Sequence, residues 1–366
     1  MLKPSDHFHG SDLEKIEALY GIKKEEIVSF SANVNPLGLS RRFKNRLAQQ
    51  LDVIASYPDR EYRSLRETIG NYCGADAAHI FVGNGSTELI SLIVRLRQPQ
   101  KALILGPTYS EYEREIRLSG GSCLYFPLLE SEDFVMDTDR LAASLGNGVD
   151  LLVLCNPNNP TSSMIHTAQM KEILDECGKL GIFVMIDETY MEFAPDYEEA
   201  TAVPLTASYD NLVVLRGVSK FFAAPGLRLG YAVTSNQTLL ERFSENQNPW
   251  TVSSIAEAAG KLLFTDTEHI ARTRALINQE RTAVVRSLSQ TDGIKFYTPY
   301  ANFVLVKLLN KDLTSDDLFD KAIRQGMMIR NCCTFPYLDH SYFRFCFMMP
   351  QDNARLLSCI REFVNQ

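Results

Sequence analysis

Residues 212–230 have the sequence LVVLRGVSKFFAAPGLRLG, in which a short apolar run leads into Ser-Lys. The run at residues 212–215 is typical of a strand that is buried on both faces of a parallel sheet. Lys220 follows this strand, and a buried lysine can keep a neutral amine that condenses with an aldehyde. Arg228 lies eight residues further on, where its guanidinium can bind a phosphate group. The alternative is a solvated lysine in a turn, so the residues that accompany Lys220 decide between the two.

Working outward, short apolar runs alternate with helical patterns between residues 31 and 230. Most of the runs are continuous rather than alternating, as expected of strands with both faces covered. Between them, residues 87–96 and 168–180 each place apolar side chains on one helical face. The pattern predicts an α/β fold with a mostly parallel sheet between layers of helices. The predicted strands are residues 80–82, 102–105, 151–155, 182–186, 212–215 and 231–233.

The pattern changes after Trp250. Residues 254–288 form one long helical stretch, and the remainder predicts a smaller α+β part. Its predicted strands lie near residues 295–297, 303–307, 327–330 and 342–347, and its last helix at 351–364. We therefore predict a large domain at residues 30–260 and a small domain made of residues 1–29 and 261–366.

Composition excludes several classes of protein. The 366 residues include 45% hydrophobic and 22% charged residues, which is ordinary for a globular protein, and the net charge is -8. Because no Lys/Arg run exceeds a pair, neither nucleic acid nor a membrane is an expected partner. No stretch approaches the ~20 apolar residues of a membrane span and no signal-peptide core is present, so we expect a cytoplasmic protein. The eight cysteines and six histidines show neither a disulfide framework nor the spacing of a metal site.

Polar motifs follow three other predicted strands. Residues 83–88 (Gly-Asn-Gly-Ser-Thr-Glu) open a helix whose backbone N–H groups can hold a phosphate. Residues 156–161 (Asn-Pro-Asn-Asn-Pro-Thr) lie where open α/β sheets bind ligands, and an amide there can donate to a phenolic oxygen. Asp187 ends a buried strand and needs a partner, for which a pyridinium nitrogen is suitable. Taken singly, each motif has an ordinary alternative: a capped helix start, a solvent-facing turn and an ion pair.

The four motifs in this order are improbable by chance. Over nearly its full length the chain resembles the fold type I enzymes of the class I/II aminotransferase superfamily, which bind pyridoxal 5'-phosphate. The resemblance implies that Lys220 forms the Schiff base with the cofactor and that Asp187 pairs with the pyridine nitrogen. It implies that Asn159 and Tyr190 bind the ring hydroxyl, and that Lys220, Asp187 and Tyr190 are the catalytic residues. The residues implied for the cofactor phosphate are Gly85, Ser86, Thr87, Ser219 and Arg228.

Two aromatic residues extend the resemblance. Tyr109, in Gly-Pro-Thr-Tyr-Ser at residues 106–110, matches the aromatic that stacks on the cofactor ring. Tyr57, in Tyr-Pro-Asp, matches the tyrosine that reaches the phosphate in the neighbouring subunit. The resemblance therefore implies a homodimer with its active site at the subunit interface. From the residues alone, Tyr57 is interpreted as an aromatic packed in a turn.

The candidate substrate-binding residues are mainly basic. Arg344 matches the family's arginine for the substrate α-carboxylate, a bidentate task that suits a guanidinium. Arg330 matches a position that binds a distal phosphate in the histidinol-phosphate branch, although a solvated strand-end arginine is the alternative. Asn33 and His9 are further candidates. The implied substrate is a small phosphorylated amino acid.

Several segments narrow the branch. Residues 9–10, 30–38, 225–228 and 249–252 are together similar to L-threonine O-3-phosphate decarboxylases, which are relatives of the histidinol-phosphate aminotransferases. Two departures are present. Residues 9–12 are His-Gly-Ser-Asp where His-Gly-Gly-Asn is expected, and Ser162 stands where glycine is usual, which we expect to change only the turn.

The bond that stands perpendicular to the cofactor ring selects the reaction. If it is the bond to the carboxylate, carbon dioxide leaves and Lys220 returns a proton to Cα; if it is Cα–H, Lys220 acts as a base and an amine is transferred. The resemblance implies decarboxylation of L-threonine O-3-phosphate to (R)-1-aminopropan-2-yl phosphate, a step of cobalamin biosynthesis. The alternative is a histidinol-phosphate aminotransferase that uses 2-oxoglutarate. A non-catalytic ligand sensor is disfavoured because the implied cofactor residues are complete.

Overall fold

The computed structural model describes residues 12–146 and 148–366. Its strands are β1 (Val28–Ser29), β2 (Ile80–Gly83), β3 (Lys101–Gly106), β4 (Ser122–Pro127), β5 (Leu151–Cys155), β6 (Phe183–Asp187), β7 (Leu212–Gly217), β8 (Gly230–Val233), β9 (Ile294–Phe296), β10 (Phe303–Leu308), β11 (Met327–Met328), β12 (Arg330–Asn331) and β13 (Tyr342–Cys346). Its helices are α1 (Leu13–Tyr20), α2 (Arg41–Ala48), α3 (Arg63–Cys73), α4 (Ser86–Arg97), α5 (Glu111–Leu118), α6 (Thr138–Ser144), α7 (Thr167–Lys179), α8 (Tyr197–Ala200), α9 (Gln237–Asn246), α10 (Ser254–Leu263), α11 (Thr267–Leu288), α12 (Ser315–Ile323) and α13 (Pro350–Val364).

The large sheet has seven strands in the order β2-β8-β7-β6-β5-β3-β4. Adjacent strands of this sheet are parallel, except that β8 is antiparallel to both of its neighbours, β2 and β7. The mostly parallel sheet confirms the predicted α/β class. Because six strands run in one direction, their carboxyl ends meet at one edge, where β8 begins.

Helices cover both faces of this sheet. Successive residues of a strand point to opposite faces, and they fall into two separate apolar clusters. One cluster contains Phe81, Ile104, Val153, Met185 and Val213, together with residues of α4, α5 and α9. The other contains Val82, Leu103, Leu154, Val184 and Val214, together with residues of α3, α7 and α10. Burial on both faces explains why the strands are continuous apolar runs in the sequence.

A second, smaller sheet is antiparallel and has the order β12-β13-β10-β9. Helix α13 lies against both α11 and α12 in this part of the molecule. The short strand β1 pairs in parallel with β11, which joins the N-terminal segment to the C-terminal part. The predicted smaller α+β part is therefore confirmed.

Some elements differ from the predicted ones. The stretch 254–288 is two helices, α10 and α11, separated at residues 264–266, where threonine and aspartate are weak helix formers. The predicted strand 327–330 is divided at Ile329, because β11 pairs with β1 whereas β12 pairs with β13. Strand β4 was not predicted; it lies at the edge of the large sheet, and its first four residues alternate between exposed and half-buried.

Candidate active site

The edge formed by the strand ends carries most of the predicted site residues. Strand β2 leads into Gly85 and β5 into Asn159, while β6 ends at Asp187. Strand β7 leads into Lys220 after three residues. Arg228 comes two residues before β8, which enters the sheet at this same edge. The topology thus gathers residues that are up to 143 positions apart in the sequence.

A cavity of about 200 Å³ opens at this edge. Seven of the predicted site residues line it: Asn33, Tyr109, Asn159, Tyr190, Lys220, Arg330 and Arg344. Seven further lining residues were not predicted as site residues: Ser31, Ala32, Thr108, Ser110, Thr334, Phe335 and Pro336. The lining is therefore drawn from the N-terminal segment, the large sheet and the C-terminal part.

Lys220 lies in this cavity with its amine held by the N-terminal segment. Its Nζ donates a hydrogen bond to the Ala32 carbonyl at 2.8 Å. Burial and then the neighbouring Arg344 cation lower the pKa of Lys220 to about 8, because both disfavour the ammonium form. A useful fraction of the amine is therefore neutral near neutral pH, as nucleophilic attack on an aldehyde requires.

Asp187 is buried, and three donors reach its carboxylate. Thr189 donates its backbone N–H and its hydroxyl to Oδ1 at 2.9 and 2.5 Å. The Tyr112 hydroxyl donates to Oδ2 at 2.7 Å. Sequence reasoning missed both partners, although a threonine two residues after an aspartate is a common turn pattern.

Asn159 and Tyr190 each keep a hydrogen-bond donor for a ligand. The Asn159 side-chain oxygen accepts from Arg344 Nη1, which leaves the amide N–H groups of Asn159 to donate. The Tyr190 oxygen accepts from Asn33 Nδ2 at 3.4 Å, so its own hydroxyl proton remains available. The Tyr190 ring is fixed by an edge-to-face contact with Phe303, with centroids 5.0 Å apart. Two donors can thus serve one phenolic oxygen.

In the loop before α4, the backbone of Gly85 lies close to the guanidinium of Arg228. Gly85 has a φ of 84°, and a Cβ there would lie 2.5 Å from Arg228 Nη2. A Cβ on Gly230 would lie 2.7 Å from the Ser86 amide nitrogen. Glycine is favoured at residue 85 by its positive φ and at residue 230 because a side chain would collide with the backbone of residues 85 and 86. The arrangement brings Arg228 to the N-terminus of α4, where unpaired N–H groups favour an anion.

Arg344 and Arg330 face each other across strands. They are directly opposite in the antiparallel pair of β12 and β13, so their side chains lie on the same face. Arg344 is buried and donates from Nη2 to the Ser31 carbonyl at 2.8 Å. Arg330 donates from Nη2 to Thr334 Oγ1 at 3.1 Å, and burial lowers the pKa of its guanidinium. Like charges in this register are destabilising, and an anionic ligand offsets that cost.

The predicted residues that do not line the cavity are Tyr57, Gly85, Ser86, Thr87, Asp187, Ser219 and Arg228. Tyr57 is 80% exposed, and its ring lies 4.7 Å from that of Trp250. Within the single chain it does not line the cavity of Lys220. Ser219 precedes Lys220 and is half-buried. His9 lies outside the described residues.

Ser162 does more than alter a turn, so that expectation was wrong. Its φ is 61°, a left-handed conformation in which glycine is the usual residue. The buried Ser162 hydroxyl accepts hydrogen bonds from the backbone N–H groups of Tyr300 and Ala301, at 3.1 and 2.9 Å. A glycine would lack this oxygen, which joins the Asn-Pro turn to the C-terminal part of the chain.

Residues 12–146 and 148–366 contain neither a metal-binding cluster nor a membrane-spanning helix. No three His, Cys, Asp or Glu side chains are grouped there so as to hold a metal ion. No helix there is both long and apolar enough to cross a membrane. All eight cysteines are free thiols.

Comparison with known proteins places the chain in a family. The family model for aminotransferases of class I and II matches residues 25–360. The chain belongs to this family. It is 38% identical over 330 residues to a putative threonine-phosphate decarboxylase of Caldanaerobacter subterraneus subsp. tengcongensis, covering 90% of this chain and 88% of the relative. It is 32% identical over 354 residues to the threonine-phosphate decarboxylase of Salmonella typhimurium, covering 97% and 96%.

A solved structure is also similar to this chain. The histidinol-phosphate aminotransferase from Clostridium acetobutylicum aligns with a TM-score of 0.86 and 32% identity. The alignment covers 92% of this chain and 98% of that one. The similarity confirms the fold over nearly the whole chain.

Enzymes of this family depend on pyridoxal 5'-phosphate, and the site fits that cofactor. The chemical groups of the site match those of the cofactor. Lys220 offers an amine of lowered pKa for the aldehyde, and Asp187 offers a buried carboxylate for the pyridine nitrogen. Gly85 leaves room beside Arg228 at a helix N-terminus, which suits a phosphate. Asn33 Oδ1 is buried without a hydrogen-bond partner among the described residues, as expected of an atom that serves a ligand.

Proposed function

We propose that this chain decarboxylates L-threonine O-3-phosphate, giving (R)-1-aminopropan-2-yl phosphate and carbon dioxide. The observation that carries the proposal is the pair Arg330 and Arg344, which lie opposite each other and line the cavity of Lys220. A substrate with a carboxylate and a phosphate supplies one anionic group for each guanidinium. The identity to two threonine-phosphate decarboxylases supports the choice of reaction.

For the cofactor, we propose roles that follow from the resemblance. Lys220 binds the aldehyde, Asp187 pairs with the pyridine nitrogen, and Asn159 and Tyr190 donate to the ring hydroxyl. Tyr109 covers the ring face. Pyridoxal 5'-phosphate, when bound, supplies an acceptor for the electron pair that the departing carboxylate leaves on Cα. The residues proposed for its phosphate are Gly85, Ser86, Thr87, Ser219 and Arg228.

The remaining chemistry is done by side chains of the cavity. Arg344 binds the substrate carboxylate and Arg330 its phosphate, with Asn33 and His9 as further proposed contacts. Holding the substrate at both ends fixes the rotation about Cα, and this selects which bond breaks. The Cα–carboxylate bond breaks, carbon dioxide leaves, and Lys220 Nζ delivers one proton to Cα in its place.

A second candidate is transamination of histidinol phosphate with 2-oxoglutarate. It is favoured by the 32% identity to the aminotransferase from Clostridium acetobutylicum. The same cavity suits a substrate with one phosphate, since Arg330 would bind it. The two functions differ in the bond that is broken: Cα–H in transamination and Cα–carboxylate in decarboxylation.

The experiment that tests the proposal uses the purified protein loaded with pyridoxal 5'-phosphate. With L-threonine O-3-phosphate and no added 2-oxo acid, we expect carbon dioxide and the amine phosphate in equal amounts. The Lys220→Ala variant is the control and should release none. Glutamate formation from histidinol phosphate and 2-oxoglutarate, without carbon dioxide from phosphothreonine, would replace the proposal with the second candidate.

We also propose a homodimer. Large apolar side chains are exposed in residues 51–57, namely Leu51, Ile54 and Tyr57. Trp250 is also exposed, and its ring contacts that of Tyr57. Such a patch marks an interaction surface, and in a two-fold dimer both copies bury the same patch. The resemblance supports a second copy as the partner, with Tyr57 of each subunit reaching the cofactor phosphate of the other.

The proposed division into domains is residues 30–260, and residues 1–29 with 261–366. Its support is the pairing of β1 with β11, which attaches the N-terminal segment to the C-terminal part. Further support is that α10 packs against α2 and α3, whereas α11 packs against α13. The boundary at residue 260 falls in the last turn of α10, a few residues before the break between α10 and α11.

A further inference from the structure

The carboxylate of Asp187 has more donors than a simple pairing residue needs. An ionised carboxylate has about four acceptor positions, two on each oxygen. Among the described residues, the Thr189 N–H and hydroxyl occupy both positions of Oδ1, and the Tyr112 hydroxyl occupies one position of Oδ2. One acceptor position is left, and it is on Oδ2.

Tyr112 has no solvent-exposed surface, so its hydroxyl must find its partner inside the protein. Burial, followed by the negative charge of Asp187, raises the pKa of Tyr112 well above its usual value. The phenol therefore keeps its proton and acts as a donor. Tyr112 also packs edge-to-face against Tyr109, with ring centroids 5.6 Å apart. Helix α5 thus connects the residue proposed for the ring face with the carboxylate proposed for the ring nitrogen.

We propose that Tyr112 and Thr189 are positioning residues that fix the orientation of the Asp187 carboxylate, leaving one acceptor position on Oδ2 for the pyridine nitrogen. The inference rests on the proposed function insofar as it needs pyridoxal 5'-phosphate as the cofactor. Three donors prevent the carboxylate from rotating about its Cβ–Cγ bond, whereas a freely rotating carboxylate would meet the ring nitrogen in the required direction for only part of the time. The two residues act through Asp187.

The test replaces Tyr112 by phenylalanine, which keeps the ring and removes only the hydroxyl. Apoprotein is loaded with cofactor labelled with ¹⁵N in the ring, and the nitrogen signal is followed by NMR across a pH series. In Tyr112→Phe we expect the pH at which the ring nitrogen loses its proton to fall by about one unit. We expect the Kd for the cofactor to rise about tenfold.

Tyr125→Phe is a matched control. The Tyr125 hydroxyl also donates to a carboxylate, that of Glu113 in α5, at 2.6 Å. The same chemical change is thus made beside the same helix, but at a carboxylate other than Asp187. The control should leave the ring nitrogen signal and the Kd as in the unaltered protein. An equal change in both variants would mean that the effect is a general loosening of α5 and would overturn the proposal.

A second variant keeps the inference testable if Tyr112→Phe does not fold. Thr189→Val removes the hydroxyl donor to Oδ1 and keeps the backbone one, so we expect a shift in the same direction and about a threefold rise in Kd. A folded variant of either kind in which the ring nitrogen loses its proton at an unchanged or a higher pH overturns the proposal, because a donor that only withdrew charge from Asp187 would raise that pH when removed. The readout is independent of the reaction. Absence of carbon dioxide release, with the nitrogen signals as expected, would sink the proposed function and leave this inference standing.

Discussion

Lys220 differs from an ordinary lysine because it is held among cations in a partly buried site. Burial and Arg344 lower its pKa to about 8, so about a tenth of the amine is neutral at pH 7. The rate of cofactor uptake by the apoprotein should therefore rise about fivefold from pH 7 to pH 8 and level off above about pH 9. Stopped-flow absorbance of the bound cofactor measures this rate.

Two observations would contradict that account of Lys220. An ordinary lysine, with a pKa of about 10.4, would give a rate that rises about tenfold with every pH unit up to about pH 10. The Lys220→Ala variant should show no covalent uptake at any pH, which is checked by borohydride reduction and peptide mass spectrometry. A pyridoxyl group found on another lysine would mean that the wrong residue has been assigned.

Arg344 is predicted to need its guanidinium and not only its charge. The side chain donates to Asn159 and to the Ser31 carbonyl, and it is proposed to bind the substrate carboxylate as well. Arg344→Lys keeps the charge but cannot make these contacts together. We expect kcat/KM for L-threonine O-3-phosphate to fall about 30-fold, which is about 2 kcal/mol of transition-state stabilisation.

The control for this variant is Arg361→Lys in α13, where an exposed arginine donates to Ser287 Oγ at 3.0 Å. It should retain the activity of the unaltered protein. Equal activities of Arg344→Lys and the unaltered protein would show that Arg344 acts as a simple charge.

At the scale of single residues, the sequence predicts the groups that end strands and misses the groups that support them. Lys220 and Asp187 are visible because a polar residue directly after an apolar run needs an explanation. Tyr112 is invisible because a tyrosine on a helix is usually packing, and its partner is 75 positions away. Thr334 is invisible because it lies in an irregular loop, where no periodic pattern predicts that its hydroxyl contacts Arg330 four positions earlier.

Among the secondary-structure elements, β6 and β7 are joined at their ends by a buried ion pair. Arg216 of β7 donates to Glu188 Oε2 at 3.0 and 2.7 Å, and both side chains are fully buried. Glu188 also accepts from Thr201 and Ala202, so it orders the segment after β6. Arg216→Met would leave the Glu188 charge uncompensated, and we expect the free energy of unfolding to fall by about 3–5 kcal/mol.

Urea unfolding of the apoprotein measures this change, with Arg324→Met as the control. Arg324 pairs with Asp320 at 2.8 Å, but that pair is exposed on α12. Exposed pairs contribute about 0.5 kcal/mol, because water and salt screen them. Similar losses in the two variants would contradict the role assigned to burial.

The sequence predicts a strand more readily when both of its faces are buried. Strands covered on both faces, such as β5 and β7, stand out in the sequence as continuous apolar runs. Strand β4 lies at the sheet edge with alternating exposure, and its short apolar run does not stand out. The division of residues 327–330 between two sheets depends on β1, which is distant in the sequence and pairs with β11, whereas β12 pairs with the nearby β13.

For the molecule as a whole, the proposed homodimer predicts that a single charged substitution in the interface prevents dimer formation. Ile54 is 63% exposed in the single chain, within the apolar region that includes Tyr57. An aspartate there would be buried unpaired in the interface, so Ile54→Asp should be monomeric at micromolar concentration. Light scattering coupled to size-exclusion chromatography measures the mass. Cofactor affinity should fall as well, because Tyr57 of the partner is lost.

Leu180→Asp is the control for surface charge. Leu180 is 54% exposed at the end of α7, away from the proposed interface. This variant should remain dimeric. A monomeric unaltered protein with full activity would contradict the proposed assembly.

The most direct test of the proposed decarboxylation is the fate of the substrate carboxylate. L-threonine O-3-phosphate labelled with ¹³C at the carboxylate is incubated in D₂O with the cofactor-loaded protein and followed by NMR. We predict that the label appears in carbon dioxide and bicarbonate in step with substrate loss. The amine phosphate should carry one deuterium at the carbon that held the carboxylate, delivered by Lys220. Label that stays in an organic acid as the substrate is consumed would contradict the account.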